Sequence, residues 1–181
     1  MTNMRMPLRM GGLLLAAFAG AAAPAAAQPA DDYYDIGTGP VTIRMSNAGK
    51  RSFFSGPARV SRGAKLTIRN VSKPAKVGPH TFSLVRPKLI PRTKRQIRFC
   101  QLCRTIATAQ KFDAKTMKIN KPTLDVGGKG WNAPFGKVGD SWYVERKGAS
   151  QTRRVTAKVG TTLTYFCAVH PRMKGTIKVV G

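Results

Sequence analysis

The chain has 181 residues, 32 Lys+Arg against 7 Asp+Glu, and a formal net charge of +25, which excludes a large acidic interaction surface. Hydrophobic residues make up 42% of it, too many for a wholly disordered basic tail. Two histidines (His80, His170) and three cysteines (Cys100, Cys103, Cys167) exclude any site needing three imidazoles and limit metal chemistry to one small site.

Residues 1–27 have a basic start (Arg5, Arg9), an apolar run from Gly11 to Ala23 and a small-residue stretch, Ala25-Ala26-Ala27, before Gln28. This three-part pattern predicts a signal peptide cleaved after Ala27, hence export to the periplasm or beyond the cell. The apolar run is shorter than the roughly 20 residues of a spanning helix. Residues 28–40 read as a polar lead-in, and 41–181 as one domain.

Short strand-like runs follow, bounded by turn residues: Val41–Met45, Arg51–Phe54, Ala64–Asn70 and Thr81–Val85. In Ala64–Asn70, Leu66 and Ile68 share one face at period 2. The middle differs. Thr93–Lys111 has few turn residues, and Ile97, Cys100, Cys103 or Arg104, and Ala107 are spaced like one helix face. From 113 to 140, Gly127, Gly128, Gly130, Pro134, Gly136 and Gly139 alternate with Trp131 and Phe135, predicting an irregular excursion pinned by aromatics. Ser141–Arg146 resumes strand character, and Arg154–Lys158, Thr161–Phe166 and Gly175–Val180 complete the pattern. Short strands with Gly-rich turns predict an antiparallel sandwich or barrel, with a helix-and-loop insertion at about 86–150.

Chemistry concentrates at Cys167-Ala-Val-His170-Pro-Arg-Met173, between two predicted strands. A thiol, an imidazole and a thioether follow at equal steps, and a tight loop can aim all three at one point. A further strong ligand must come from elsewhere, and the only other histidine is His80, in Gly78-Pro79-His80-Thr81-Phe82. Pro79 stiffens the approach to it. Singly, an ordinary buried Cys167, a surface His170 and a core Met173 would each be the simpler reading. Jointly, two imidazoles, a thiolate and a weak axial thioether are the blue-copper donor set. Zinc could use the same four residues, although it seldom takes thioethers.

These segments resemble the cupredoxins, the plastocyanin, azurin and amicyanin group. The Cys167-x-x-His170-x-x-Met173 spacing is most similar to amicyanin. Gly63–Asn70 and Pro79-His80-Thr81-Phe82 resemble the strand, Asn and Pro-His that deliver the first ligand in that family. The resemblance covers about 40–85 and 150–181. It implies an all-β Greek-key sandwich and a single type 1 copper held by His80, Cys167, His170 and Met173. It further implies one-electron transfer between redox partners rather than enzymatic turnover. Non-catalytic copper delivery or storage in the envelope is the alternative. Thr81 stands where the family often has Asn. Its N–H could reach the Cys167 sulfur, but the side-chain link between the ligand loops is expected to be weaker. One Cys in the loop excludes a dinuclear centre, and two histidines cannot furnish an oxygen-reducing cluster.

Cys100-Gln-Leu-Cys103 lacks the following His of a haem attachment site and the βαβ context of a thioredoxin. In an oxidising compartment a local disulfide at a helix end is the simplest reading, with a copper-loading dithiol as the alternative. Seven cations and no acid lie between Arg86 and Arg104. They are either a solvated face or a steering surface for acidic redox partners or an anionic membrane. Nucleic acid and small-molecule substrates are not expected. Electrons are expected to leave by the edge of His170, collared by Ala168, Val169 and Pro171.

Overall fold

The computed structural model describes residues 39–125, 130–132 and 139–181. The expected signal peptide, most of the lead-in, and Gly127, Gly128, Pro134, Phe135 and Gly136 lie outside the described residues.

In chain order, strands β1 (Val41–Ala48), β2 (Arg51–Ser55), β3 (Arg59–Ser61) and β4 (Lys65–Asn70) precede the one-turn helix α1 (Pro74–Val77) and β5 (His80–Leu84). Helices α2 (Lys94–Arg98) and α3 (Gln101–Ala109) follow, then the short strands β6 (Phe112–Asp113), β7 (Lys118–Ile119) and β8 (Thr123–Leu124). The chain ends with β9 (Ser141–Val144), β10 (Ser150–Arg154), β11 (Thr162–Phe166) and β12 (Lys174–Val180). β6 and β7 pair only with each other; of the two larger sheets, one runs β10-β4-β1-β2 and the other β3-β12-β11-β5-β9-β8. The chain crosses repeatedly between them. The architecture is the expected all-β sandwich, with one difference. β1 pairs β4, and β3 pairs β12, in parallel, because in each case the chain visits the other sheet before it returns.

The period-2 rule explains the layers. On β4, Leu66, Ile68 and Asn70 are buried, as the alternation requires. On β5, on β11 and just beyond it, His80, Phe82 and Leu84, with Leu163, Tyr165 and Cys167, fall on the inner face. There the apolar ones join Ile43, Met45, Leu66 and Ile68 in the main core. Val85 and Phe166 have the opposite parity. They form a second cluster with Ile90, Cys100, Leu102 and Ile106. Helix α3 therefore covers the outer face of β5 and β11, which would otherwise expose apolar side chains to water.

Three expectations need correction. Thr93–Lys111 is two helices. Thr93 caps α2 in a reciprocal capping box with Gln96, and the helix stops at Phe99. Cys100 has non-helical φ/ψ and caps α3. The break rephases the helix, so the buried residues of α3 are Leu102 and Ile106 rather than the expected face. Second, pairing near Arg154–Lys158 falls earlier, at Ser150–Arg154. Val155 and Ala157 do alternate inward, but beyond Arg154 the pairing reduces to an isolated bridge of Val155 to Trp131 and backbone bonds of Val155 to Gly63 and Ala64. Third, the expected irregular excursion at 113–140 contains the strands β7 and β8, which, like β3, are too short to show a period.

Trp131 pins its loop as expected. It is fully buried, donates Nε1–H to the Leu66 carbonyl at 3.0 Å and packs edge-on against Phe82. Cys100 and Cys103 form a disulfide at the start of α3, as the helix-end reading anticipates. No helix among the described residues is long and apolar enough to cross a membrane.

Candidate metal centre

The four candidate ligands come from two connections at one end of the six-stranded sheet. His80 opens β5, while Cys167, His170 and Met173 lie between β11 and β12. Gly78 adopts φ +74°, a backbone conformation that an L side chain rarely takes, and turns the chain into Pro79 and His80. The loop after β11 is tied internally. The Met173 N–H donates to the His170 carbonyl at 2.7 Å, and the Cys167 N–H donates to the Met173 carbonyl at 3.0 Å. Met173 is buried with Cys167 in the main core.

One ligand atom each from His80, Cys167 and His170 lies within 4.8 Å of the others. The Cys167 Sγ is 3.9 Å from His80 Nδ1 and 3.6 Å from His170 Nδ1. Each far nitrogen has its own partner. His170 Nε2 is 2.6 Å from the Val77 carbonyl, which can only accept, so Nε2 carries the proton. His80 Nε2 is 2.8 Å from Ser72 Oγ, and that hydroxyl is 2.6 Å from the Asn70 side-chain carbonyl. Ser72 gives its single proton to Asn70, so it accepts from His80 Nε2–H. Both neutral rings are therefore held in the tautomer that leaves Nδ1 bare and facing the sulfur.

The electrostatics keep them neutral. Burial first, and then the nearby His170, lower His80 from 6.5 to about 4. Burial also lowers His170, against the opposing effect of the Val77 carbonyl. Burial pushes the Cys167 thiol up, while N–H groups of its surroundings, led by Thr81, pull it down. The Thr81 N–H reaches the sulfur at 3.3 Å. The Thr81 Oγ1 also accepts the Ala168 N–H at 2.7 Å. The hydroxyl thus joins the two ligand loops directly.

Two soft or borderline nitrogens and a thiol converge with no competing proton at either nitrogen. Such a set fits a copper ion: the soft thiolate favours Cu(I), and the imidazoles suit copper in both oxidation states. Water has little access, since His80 and Cys167 are fully buried.

The His170 ring is half-buried, with Nε2 bonded to the carbonyl of Val77 at the end of α1. Ser72 and Val77 escaped the sequence reading. A serine two residues past Asn70 and a backbone carbonyl carry no local signal, since their partners lie 8 and 93 positions away.

No family model and no curated protein matches the chain. Solved structures to which it is similar include the "blue" copper protein auracyanin A of Chloroflexus aurantiacus, at 19% identity and TM-score 0.43, covering 77% of this chain and 98% of that one. An azurin from Methylomonas sp. strain J has 15% identity and TM-score 0.44, with 80% of this chain and 100% of that one covered. A purple cupredoxin from Nitrosopumilus maritimus has 16% identity and TM-score 0.38, with 76% and 97% covered.

Proposed function

We propose that this chain is a cupredoxin: an exported, mononuclear type 1 copper protein that carries single electrons between redox partners. The observation that carries the proposal is the convergence of two bare Nδ1 atoms on the buried Cys167 sulfur. His80, Cys167 and His170 would hold the ion, with the Met173 thioether as a further, weaker donor. Bound copper would supply a Cu(II)/Cu(I) couple.

The chain's own residues do the rest. Ser72 and Val77 orient the rings, and Thr81 donates to the sulfur and so moderates its charge. Tethered ligands resist movement, which favours electron transfer with little reorganisation. The domain spans 41–181, with about 86–150 as its insertion and 1–27 as a cleaved leader.

A groove bordering His170 is lined in part by Lys50, Arg51, Phe53, Val169, Arg172 and Lys174. Cations around an apolar floor suit brief docking of an acidic redox protein, and the same charge suits an anionic membrane surface.

The test is an absorption and EPR spectrum of the copper-loaded protein. An intense thiolate-to-copper band with a narrow copper hyperfine splitting is expected, and Cys167→Ser should abolish it. A band that persists in Cys167→Ser would refute the ligand assignment. Reversible voltammetry supports electron transfer, whereas ready loss of Cu(I) to a chelating partner would favour delivery or storage instead.

A further inference from the structure

The Cys100–Cys103 disulfide takes no part in the metal centre, and four features set it apart from a structural staple. It closes a loop only four residues long. The entropic gain from a cross-link grows with the logarithm of loop length, so this position is at the bottom of the scale. Cys100 is the N-cap of the nine-residue α3, and its Sγ accepts the Cys103 N–H at 3.0 Å. Around it the chain is cationic: Arg95, Arg98 and Arg104 lie within five positions, and no acid occurs between Arg86 and Lys111. Finally, the two sulfur residues differ in access. Cys100 is buried in the outer cluster, while Cys103 is half-buried at its edge. Phe99 beside them is 58% exposed, with the Arg98 guanidinium over its ring.

We propose that Cys100 and Cys103 form a redox-active dithiol/disulfide couple that exchanges with the dithiol of a partner protein. A partner thiolate attacks the accessible Cys103 Sγ. The Cys100–Cys103 bond breaks, and its electron pair leaves on Cys100 Sγ. That thiolate accepts the Cys103 N–H and sits at the start of α3, which offset its burial in the apolar outer cluster. A stabilised thiolate is the better leaving group, which sets the direction of attack. The partner's second thiolate then attacks its own sulfur in the mixed disulfide and releases Cys103. Two electrons pass to this chain, the two thiol protons of the partner end on Cys100 and Cys103, and the partner becomes a disulfide. The reverse sequence oxidises a partner dithiol. Exposed Phe99, flanked by Arg98, offers that partner an apolar contact with a basic rim. This reading is independent of copper binding.

The experiment is redox equilibration of the full chain in glutathione buffers of graded reduced-to-oxidised ratio, followed by acid quench, alkylation and peptide mass mapping, which separates Cys167 from the pair. The expected result is a reversible transition of Cys100 and Cys103 within the buffer range, in protein that keeps its native circular dichroism. A pair that stays oxidised at every ratio and opens only in denaturant overturns the proposal. Single variants test the order of attack with oxidised glutathione as the probe. Cys100→Ser should accumulate a glutathione adduct on Cys103 faster than Cys103→Ser does on Cys100, because the burial of Cys100 and the lower nucleophilicity of a stabilised thiolate outweigh its larger thiolate fraction. Equal rates, or faster reaction at Cys100, overturn the assigned direction.

Discussion

Ser72→Ala isolates the outer hydrogen bond that orients one candidate ligand. Ser72 is 1% exposed, so water does not readily replace its hydroxyl. Removing that hydroxyl leaves the buried His80 Nε2–H without its acceptor at 2.8 Å. Asn70 Oδ1 loses the 2.6 Å hydroxyl donor but keeps the Ser72 N–H at 3.1 Å. One orphaned buried donor costs about 1–3 kcal/mol. The partly satisfied Asn70 adds little, so the metal-free protein should lose about 1–3 kcal/mol in urea denaturation. Copper affinity should fall by roughly 10–100-fold, because the ring no longer has a fixed tautomer or orientation. Competition with a chelator of known affinity measures that fall. Nitrogen-15 NMR of the metal-free imidazoles reads the cause directly: wild-type His80 should carry its proton on Nε2, and the variant should show a mixture. Ser72→Thr retains the hydroxyl and should restore the tautomer. If Ser72→Ala keeps the Nε2–H form and binds copper within twofold of wild type, the tether does not position His80.

Three further outcomes follow from the packing and charge. Gly175→Ala places a Cβ against the Tyr165 ring closer than real Cβ atoms come, so the ring must shift within the core; a loss of about 1–3 kcal/mol in chemical denaturation is expected, and an unchanged midpoint would contradict the packing. Trp131→Ala removes a fully buried indole and its bond to Leu66, and should cost about 3–5 kcal/mol by the same assay, whereas a loss below 1 kcal/mol would show that the loop is not anchored there. In metal-free protein, His80 falls from 6.5 to about 4 on folding, so the unfolded chain binds more protons in that window. Stability held above pH 6.5 is therefore lost as pH falls through about 4, by about 3 kcal/mol for this group alone; a midpoint unchanged between pH 7 and pH 4 would refute it.

What the order of residues determined by itself was local chemistry and local period. Leu66 and Ile68 alternate because a strand half-buried in a sandwich demands it, and the structure buries both. The Cys167, His170 and Met173 donors are close in sequence, so a short loop brings them to one end of the sheet without help from distant residues. The break at Phe99 was not legible, because the spacing of apolar residues is blind to a cap formed by Cys100. Nor was the displacement of pairing to Ser150–Arg154, since alternation reports which side chains turn inward and not which backbone hydrogen-bonds.

Tertiary structure alone decided how the site is finished. Only the folded sandwich brings His80 to Cys167, 87 positions away, and only there do Ser72, Val77 and Thr81 meet the ligand loops. Donor identity resides in individual side chains, so it can be read from the chain. Tautomer, orientation and burial depend on atoms that have no neighbour in sequence, and those contacts exist only once the two sheets have closed over a common core.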